Sequence, residues 1–308
     1  MWKTIVPRLA VAGLASAVLL AACSPGASPA PSASGTPGAS AAGVGSGAID
    51  HPTGTTQVVL RFEEGGGFVA LAFAMLQVPY FSLYGDGTVI FRSASAPFPE
   101  QKPGEPTRFA PLHVARMTET QAQALLAGAL GPGGLREAKP RYENLQVADA
   151  PTAVFTIDAG GVRKQVSVYA LGLAADGAAG QGPDAATLAA MAGLAERLRD
   201  FDREIAKGAA TDVGLFVPDR FRASILEAGA PGARAPRPWP WPTFGPDAFA
   251  AVDQPSGPGF PSKVLSGLEA SLLGLGDLAG GVSGIALRGP DGKVYDLALR
   301  PLLPDEQR

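Results

Sequence analysis

The chain has 308 residues, of which 46% are hydrophobic, 40 are glycine and 29 are proline. That composition excludes a collagen or a wholly disordered chain, and leaves one large domain or two small ones with a real core. A formal net charge of −3 offers nucleic acid no electrostatic footprint, and a single cysteine excludes an internal disulfide framework.

The N-terminal "MWKTIVPR" supplies Lys3 and Arg8, and an apolar run from Leu9 to Leu20 follows. Cations ahead of a short apolar segment have the layout of a secretory signal, and the run falls short of the about 20 apolar residues that span a bilayer. It ends in Leu20-Ala21-Ala22-Cys23, which holds the one thiol. This ending resembles the lipobox of bacterial lipoproteins. The resemblance implies that residues 1–22 are a lipoprotein signal peptide and that Cys23 is the lipid attachment site, thioether-linked to diacylglycerol. The expected location is then the cell membrane, lipid-anchored and facing outside the cytoplasm, with the bilayer as first partner. The competing reading is a chance "LAAC" in an alanine-rich leader. Residues 24–48 are Ala, Gly, Pro, Ser and Thr apart from Val44. They offer no apolar face, so 23–54 is expected to be the lipidated Cys and a disordered tether. As a coil it would hold its cargo roughly 25–30 Å from the membrane.

Residues 55–208 are expected to form an α+β domain. "QVVLRF" alternates, placing Val58, Leu60 and Phe62 on one side of a strand. "YFSLYGDGTVIFR" reads as two strands about Asp86-Gly87, a pair that tolerates the positive φ of a tight hairpin. "TETQAQALLAGALGPGG" predicts a helix with both ends written. Thr118 and Gln121 make a capping box, Ala122, Leu125, Leu126, Ala129 and Leu130 form the apolar stripe, and Gly131-Pro132 stops it. "APTAVFTIDAGGVRKQVSVYAL" predicts two further strands about Gly160-Gly161. A second helix runs from Asp184 to about Ala206, with Glu196, Arg199, Asp200 and Arg203 as its solvated face.

Residues 209–308 change in texture. "LFVPDRFRASIL" reads as an interrupted strand, and the proline-dense stretch 231–261 as a loop or extended strap. A short helix is expected from Ser262, and "SGIALRGPDGKVYDLALRPLLP" as a closing hairpin. This region is either a small lobe or an extension of the first sheet. The fold class expected is α+β: an antiparallel sheet built from hairpins, with two main helices packed on one side and a Pro-rich C-terminal extension ending in a hairpin.

"FSLYGDGTVIF", "DAPTAVFTIDAGGVRKQVSVYALG" and "ALRGPDGKVYDLALRPLLPDE" resemble segments of uncharacterised, lipobox-bearing bacterial lipoproteins of GC-rich genomes, over roughly residues 56–304. That family has no assigned activity, so the resemblance implies fold and location and lends no catalytic residue.

A search for chemistry returns no catalytic residue, cofactor site or metal site. His51 and His113 are the two histidines, the latter expected in a loop before the first helix, and no Gly-x-Ser-x-Gly elbow accompanies them. Glu63 and Glu64 are adjacent, so on a strand they point to opposite faces. Gly180-Gln-Gly182 and Gly274-Leu-Gly276 imitate a dinucleotide fingerprint but lack the strand–turn–helix context it needs. "RPWPWPTFGP" carries Trp239, Trp241 and Phe244, which either contact an envelope protein or cell-wall glycan or plug the strap onto the sheet. The function expected is a membrane-anchored extracytoplasmic lipoprotein whose body is a non-catalytic binding or structural module of the cell envelope. The alternatives are an envelope hydrolase with an unrecognised carboxylate or hydroxyl site, and a solute-binding lipoprotein.

Overall fold

The structure, a computed structural model, describes residues 47–144, 146–173, 182–228, 235–254 and 257–306, all within one unit, Gly45–Arg308. The expected signal peptide, Cys23, most of the tether, and Gly180 of the first glycine-rich mimic lie outside the described residues. The protein is α+β, with two antiparallel-rich sheets and few helices.

Elements follow in chain order. Strand β1 (Val58–Gly65) precedes a one-turn helix α1 (Leu71–Met75), then the hairpin β2 (Phe81–Tyr84) and β3 (Thr88–Phe91). Gly87 takes φ 80° at that turn, and Asp86 accepts from the Thr88 backbone N–H at 3.0 Å. Strands β4 (Thr107–Arg108) and β5 (His113–Arg116) lead to helix α2 (Glu119–Leu130). Its capping box forms as the sequence implies: Thr118 Oγ1 accepts from Gln121 N at 3.3 Å. Next come β6 (Arg141–Tyr142), the hairpin β7 (Thr152–Ala159) and β8 (Val162–Tyr169), α3 (Ala185–Arg199) and α4 (Phe201–Ala206). The single helix expected over 184–206 is therefore two, broken at Asp200, where ψ is 63°. The break lets Phe201 turn inward onto Phe81 and Phe91, with ring centroids at 4.8 and 5.3 Å.

The remaining elements are β9 (Thr211–Leu215), β10 (Arg220–Glu227), β11 (Arg237–Pro238), β12 (Ala250–Gln254), β13 (Gly257–Ser266), α5 (Gly267–Ser271), β14 (Val282–Arg288) and β15 (Val294–Pro301), ending in a 3₁₀ turn at Pro304–Glu306. Two expectations are corrected here. Part of the proline-dense stretch is the β12–β13 hairpin, in which Ala250, Ala251 and Val252 face Ser262, Pro261 and Phe260 in register. The helix expected from Ser262 starts five residues later, at Gly267, since Ser262–Ser266 pairs with β10 and Ser266 is the N-cap.

The first sheet runs β6-β8-β7-β1-β2-β3-β5-β9, and the second β11-β14-β15-β10-β13-β12, with β4 also paired to β14. Residues after 208 thus do two things: β9 adds an edge to the first sheet, and the rest builds the second. His113 is accordingly a strand residue of β5, not a loop residue.

Alternation decides which face each strand presents. Leu60, Phe62, Phe81, Leu83, Val89 and Phe91 pack with the apolar stripes of α2 and α3 in the main core. Tyr84, Ile90 and Val114 look the other way, onto Leu112 and Leu303. On the second sheet Phe221, Ala223, Ile225, Leu297 and Leu299 face a core closed by α5 and the tryptophan strap, while Ala298 and Leu226 turn toward Met75 and Phe260. The layers are helices, sheet, sheet, strap. Among the described residues no helix is long and apolar enough to cross a membrane.

Candidate functional site

Where β1 ends, the chain makes a glycine turn and folds back over the sheet. Gly66 and Gly67 take φ 76° and 73°, which L side chains rarely adopt. A Cβ on Gly67 would meet the Asp149 carbonyl oxygen at 2.9 Å, so the turn rests directly on backbone. Phe68 N donates to that same oxygen at 3.3 Å. The segment re-enters through α1, whose Ala74 and Met75 are buried while Leu71 and Phe73 stay exposed. Gln77 fastens the return by donating to the Glu64 carbonyl oxygen.

Between this flap, the end of β3 and the loops at Phe98 and Phe109 lies a cavity of about 480 Å³. Its walls are mostly apolar: Val69, Phe73, Phe98, Phe109, Leu112 and Pro301 among them. Phe109 holds Phe73 and Phe98 edge-on, at 5.5 and 5.9 Å. The mouth carries surface that water would rather not meet, since the lining residues Val69, Phe73 and Phe98 are each more than half exposed. Apolar side chains clustered at a mouth in this way mark an interaction site.

The polar groups of the cavity converge on one wall. Glu64 is clamped bidentately by Arg199, at 2.5 and 3.1 Å, so Arg199 is not part of a merely solvated helix face. The Arg92 guanidinium lies 4.6 Å from the centre of the Tyr80 ring, and donates one N–H to the Val78 carbonyl oxygen at 2.5 Å. Among the described residues no carboxylate comes within ion-pair distance of Arg92. Desolvation lowers its proton affinity below the ordinary arginine range, against the opposing pull of Tyr80 and Glu64. Two guanidiniums and one carboxylate therefore surround Tyr80, and a second carboxylate, Asp202, accepts from the lining Ser93 Oγ at 3.0 Å and from the Ala94 N–H at 2.6 Å.

A second polar cluster lies between the sheets. Arg61 donates to Ser82 Oγ at 2.9 Å and to Asp305 at 2.7 Å, and Tyr84 OH donates to the same Asp305 oxygen at 2.7 Å. Arg300 makes a bidentate pair with Glu306 at 2.9 and 2.7 Å. Burial alone would raise the Glu306 carboxyl, but the Arg300 charge and hydrogen bonds outweigh it and hold it at about 2. Burial raises Tyr84 and Glu63. Arg61, Tyr84 and Asp305 bond one another, as do Arg300 and Glu306, although Arg300 Nε is buried without a partner among the described residues; the cluster is a clamp on the C-terminal turn.

The residues singled out by sequence fall elsewhere. Trp241 is buried, 2% exposed, its indole N–H donating to Glu269 O at 2.9 Å; Trp239 donates to Phe244 O at 2.8 Å. Their rings stack with Phe244 and Phe249 behind the second sheet, and Lys263 lies 4.8 Å from the Phe244 ring. Trp239 and Phe244 keep part of their surface exposed. Glu63 and Glu64 do face opposite sides, toward the clamp and toward Arg199. His113 approaches Asp212 at 3.8 Å and lies outside the cavity, while His51 bonds Pro52 O and Glu119. Among the described residues no group of three or more His, Cys, Asp or Glu is placed to hold a metal. Arg92, Tyr80 and the phenylalanines of the mouth carry no motif; their one sequence signal is the exposed "GGGFVALAF" run behind a strand.

Set against models of protein families, against curated proteins and against solved structures, the chain gives no match.

Proposed function

We propose that the protein is a membrane-anchored extracytoplasmic lipoprotein, held to the bilayer through an acylated Cys23, whose body is a non-catalytic binding module of the cell envelope. The carrying observation is Leu20-Ala21-Ala22-Cys23 at the end of a short apolar run, followed over residues 24–48 by Ala, Gly, Pro, Ser and Thr apart from Val44. Each buried methylene of an attached acyl chain contributes roughly 0.8 kcal/mol, so two or three chains anchor stably where one does not. The likeness to lipoproteins of GC-rich genomes points the same way. On the tether we read the finer architecture as a hairpin-built sheet with two main helices on one side and a Pro-rich extension ending in a hairpin.

The cavity supports a binding role for the body and favours its solute-binding form over a hydrolase, because the Glu64 carboxylate on its wall is already engaged by Arg199. Trp239 and Phe244 are the proposed contacts for an envelope protein or glycan; Trp241 serves packing.

Intact mass of protein from the producing cell should show a chain beginning at an acylated Cys23, and Cys23→Ala should release it from the membrane fraction. An intact Met1 with a bare thiol refutes the anchor. Turnover of wall fragments, peptides or esters by the purified protein establishes the hydrolase instead.

A further inference from the structure

We infer that the cavity at the end of β1 binds a single-chain amphiphile with an anionic head, the head on Arg92 and the tail among the phenylalanines of the mouth. The inference rests on the reading of the body as a binding module and names its ligand class; it does not depend on the anchor.

Charge comes first. A guanidinium carries five N–H donors in a planar fork that matches a carboxylate or phosphate bidentately. Arg92 spends one of them on Val78 O and stacks on Tyr80. Its neighbour Glu64 acts on it only from beyond ion-pair distance, being held by both a Nε and a Nη of Arg199. A desolvated cation without an ion partner is costly, and an incoming anion would relieve that cost. Tyr80 stands on the same wall as a further hydrogen-bonding group, while the Ser93 hydroxyl beside it is already engaged by Asp202 and the Ala96 N–H.

Shape and polarity come second. The volume of about 480 Å³ falls within the range of small-molecule pockets, and its lining is apolar apart from Glu64, Gln77, Tyr80, Arg92 and Ser93. An acyl tail gains from every methylene it buries there. The mouth continues the apolar path outward over Val69, Phe73 and Phe98, each more than half exposed. An anion without a tail would leave that surface wet, and a tail without an anion would leave Arg92 unpaired. Only a molecule with both ends answers both features.

Access comes third. The flap that roofs the cavity hangs on Gly66 and Gly67 and is fastened by few hydrogen bonds, so a ligand can enter without disturbing either sheet.

The test uses the full chain carrying Cys23→Ser, monomeric by size exclusion, so that no attached acyl group competes. Parinarate, a fluorescent fatty carboxylate, is the probe; palmitate, methyl palmitate and a lysophosphatidylglycerol are the competitors. Saturable parinarate binding, displaced by palmitate and not by its methyl ester, is expected. Displacement by the lysophospholipid as well identifies a phosphate-type head at the same cation, and failure of that competitor restricts the class to carboxylates; either outcome agrees with the inference. Arg92→Gln should weaken binding about ten- to a hundredfold, the loss expected of a charged hydrogen bond, and Arg92→Lys less. Absence of saturable binding, equal displacement by the ester, or an Arg92→Gln protein that binds like the parent overturns it. If Arg92→Gln loses its circular-dichroism spectrum, Phe73→Asp on the exposed mouth decides. Loss of binding with the fold intact supports the inference, and undiminished binding refutes it. An acylated Cys23 with no parinarate binding separates a sound anchor from a failed ligand.

Discussion

Glu306 shows how one carboxylate near the end of a chain can hold a whole interface. Its carboxyl titrates at about 2 rather than 4.5 because Arg300 lies against it and the Leu303 N–H donates to it, which together outweigh the effect of burial. A depressed folded-state value means the stabilisation is fully present above the unfolded value and lost as pH falls through the folded one. The contribution, about 3 kcal/mol, is therefore expected to disappear between roughly pH 4.5 and 2. Glu306→Gln should cost about 3–5 kcal/mol in urea unfolding at neutral pH, because Arg300 is left buried without its anion. The variant's stability should also be flatter than the parent's over that acid window. Trp241 makes a second case at this scale. If its indole packs the strap down, Trp241→Ala costs about 3–5 kcal/mol, visible as a lowered urea midpoint. A change under 1 kcal/mol would return Trp241 to the role of a surface contact.

At the scale of elements, local chemistry writes α2. The Thr118–Gln121 box satisfies two of the donors that a helix start leaves open, and the five stripe residues are all buried. Thr118→Ala should lower stability by about 1 kcal/mol, measurable as a fall in Tm, without changing the helix stripe. The two central hairpins were equally legible, since Asp86-Gly87 and Gly160-Gly161 tolerate the turn's backbone and the flanking residues alternate. The region after 230 was not. Proline density argues for a strap, yet pairing between β12 and β13 is decided by what each backbone group meets across the ladder, and no local residue pattern announces the partner. The break at Asp200 was hidden for a related reason: the helical periodicity continues through it, and the pull of Phe201 toward Phe81 and Phe91 comes from the sheet.

At the scale of the molecule, the C-terminal turn ties the two sheets into one cooperative body. Leu302 and Leu303 are fully buried, Asp305 holds Arg61 of β1, and Glu306 holds Arg300 of β15. Removing the residues after Pro301 should cost more than 5 kcal/mol, the two leucines alone contributing about 1.5–3 kcal/mol each. Calorimetry should show one transition shifted down as a unit; two separated transitions would mean that the sheets melt independently.

A register shift between Val58 and Leu60 turns Val58 toward Tyr84 and Ile90, away from the face of Leu60 and Phe62 where alternation put it. The sequence alone determined what depends on neighbours along the chain: the capped helix, the glycine turns and the rest of the strand alternation. These are set within a few residues by backbone sterics, hydrogen bonding and hydrophobic period. The candidate site belongs to the other category. Arg92, Tyr80, Glu64, Arg199, Phe73 and Phe98 come from four separated stretches, and none is unusual where it stands in the chain. Only the folding of α3 against β1, and of the glycine flap over the sheet end, gives Glu64 its arginine and leaves Arg92, among the described residues, without a carboxylate at ion-pair distance. An uncompensated charge is a property of a neighbourhood in space, so tertiary structure had to decide it.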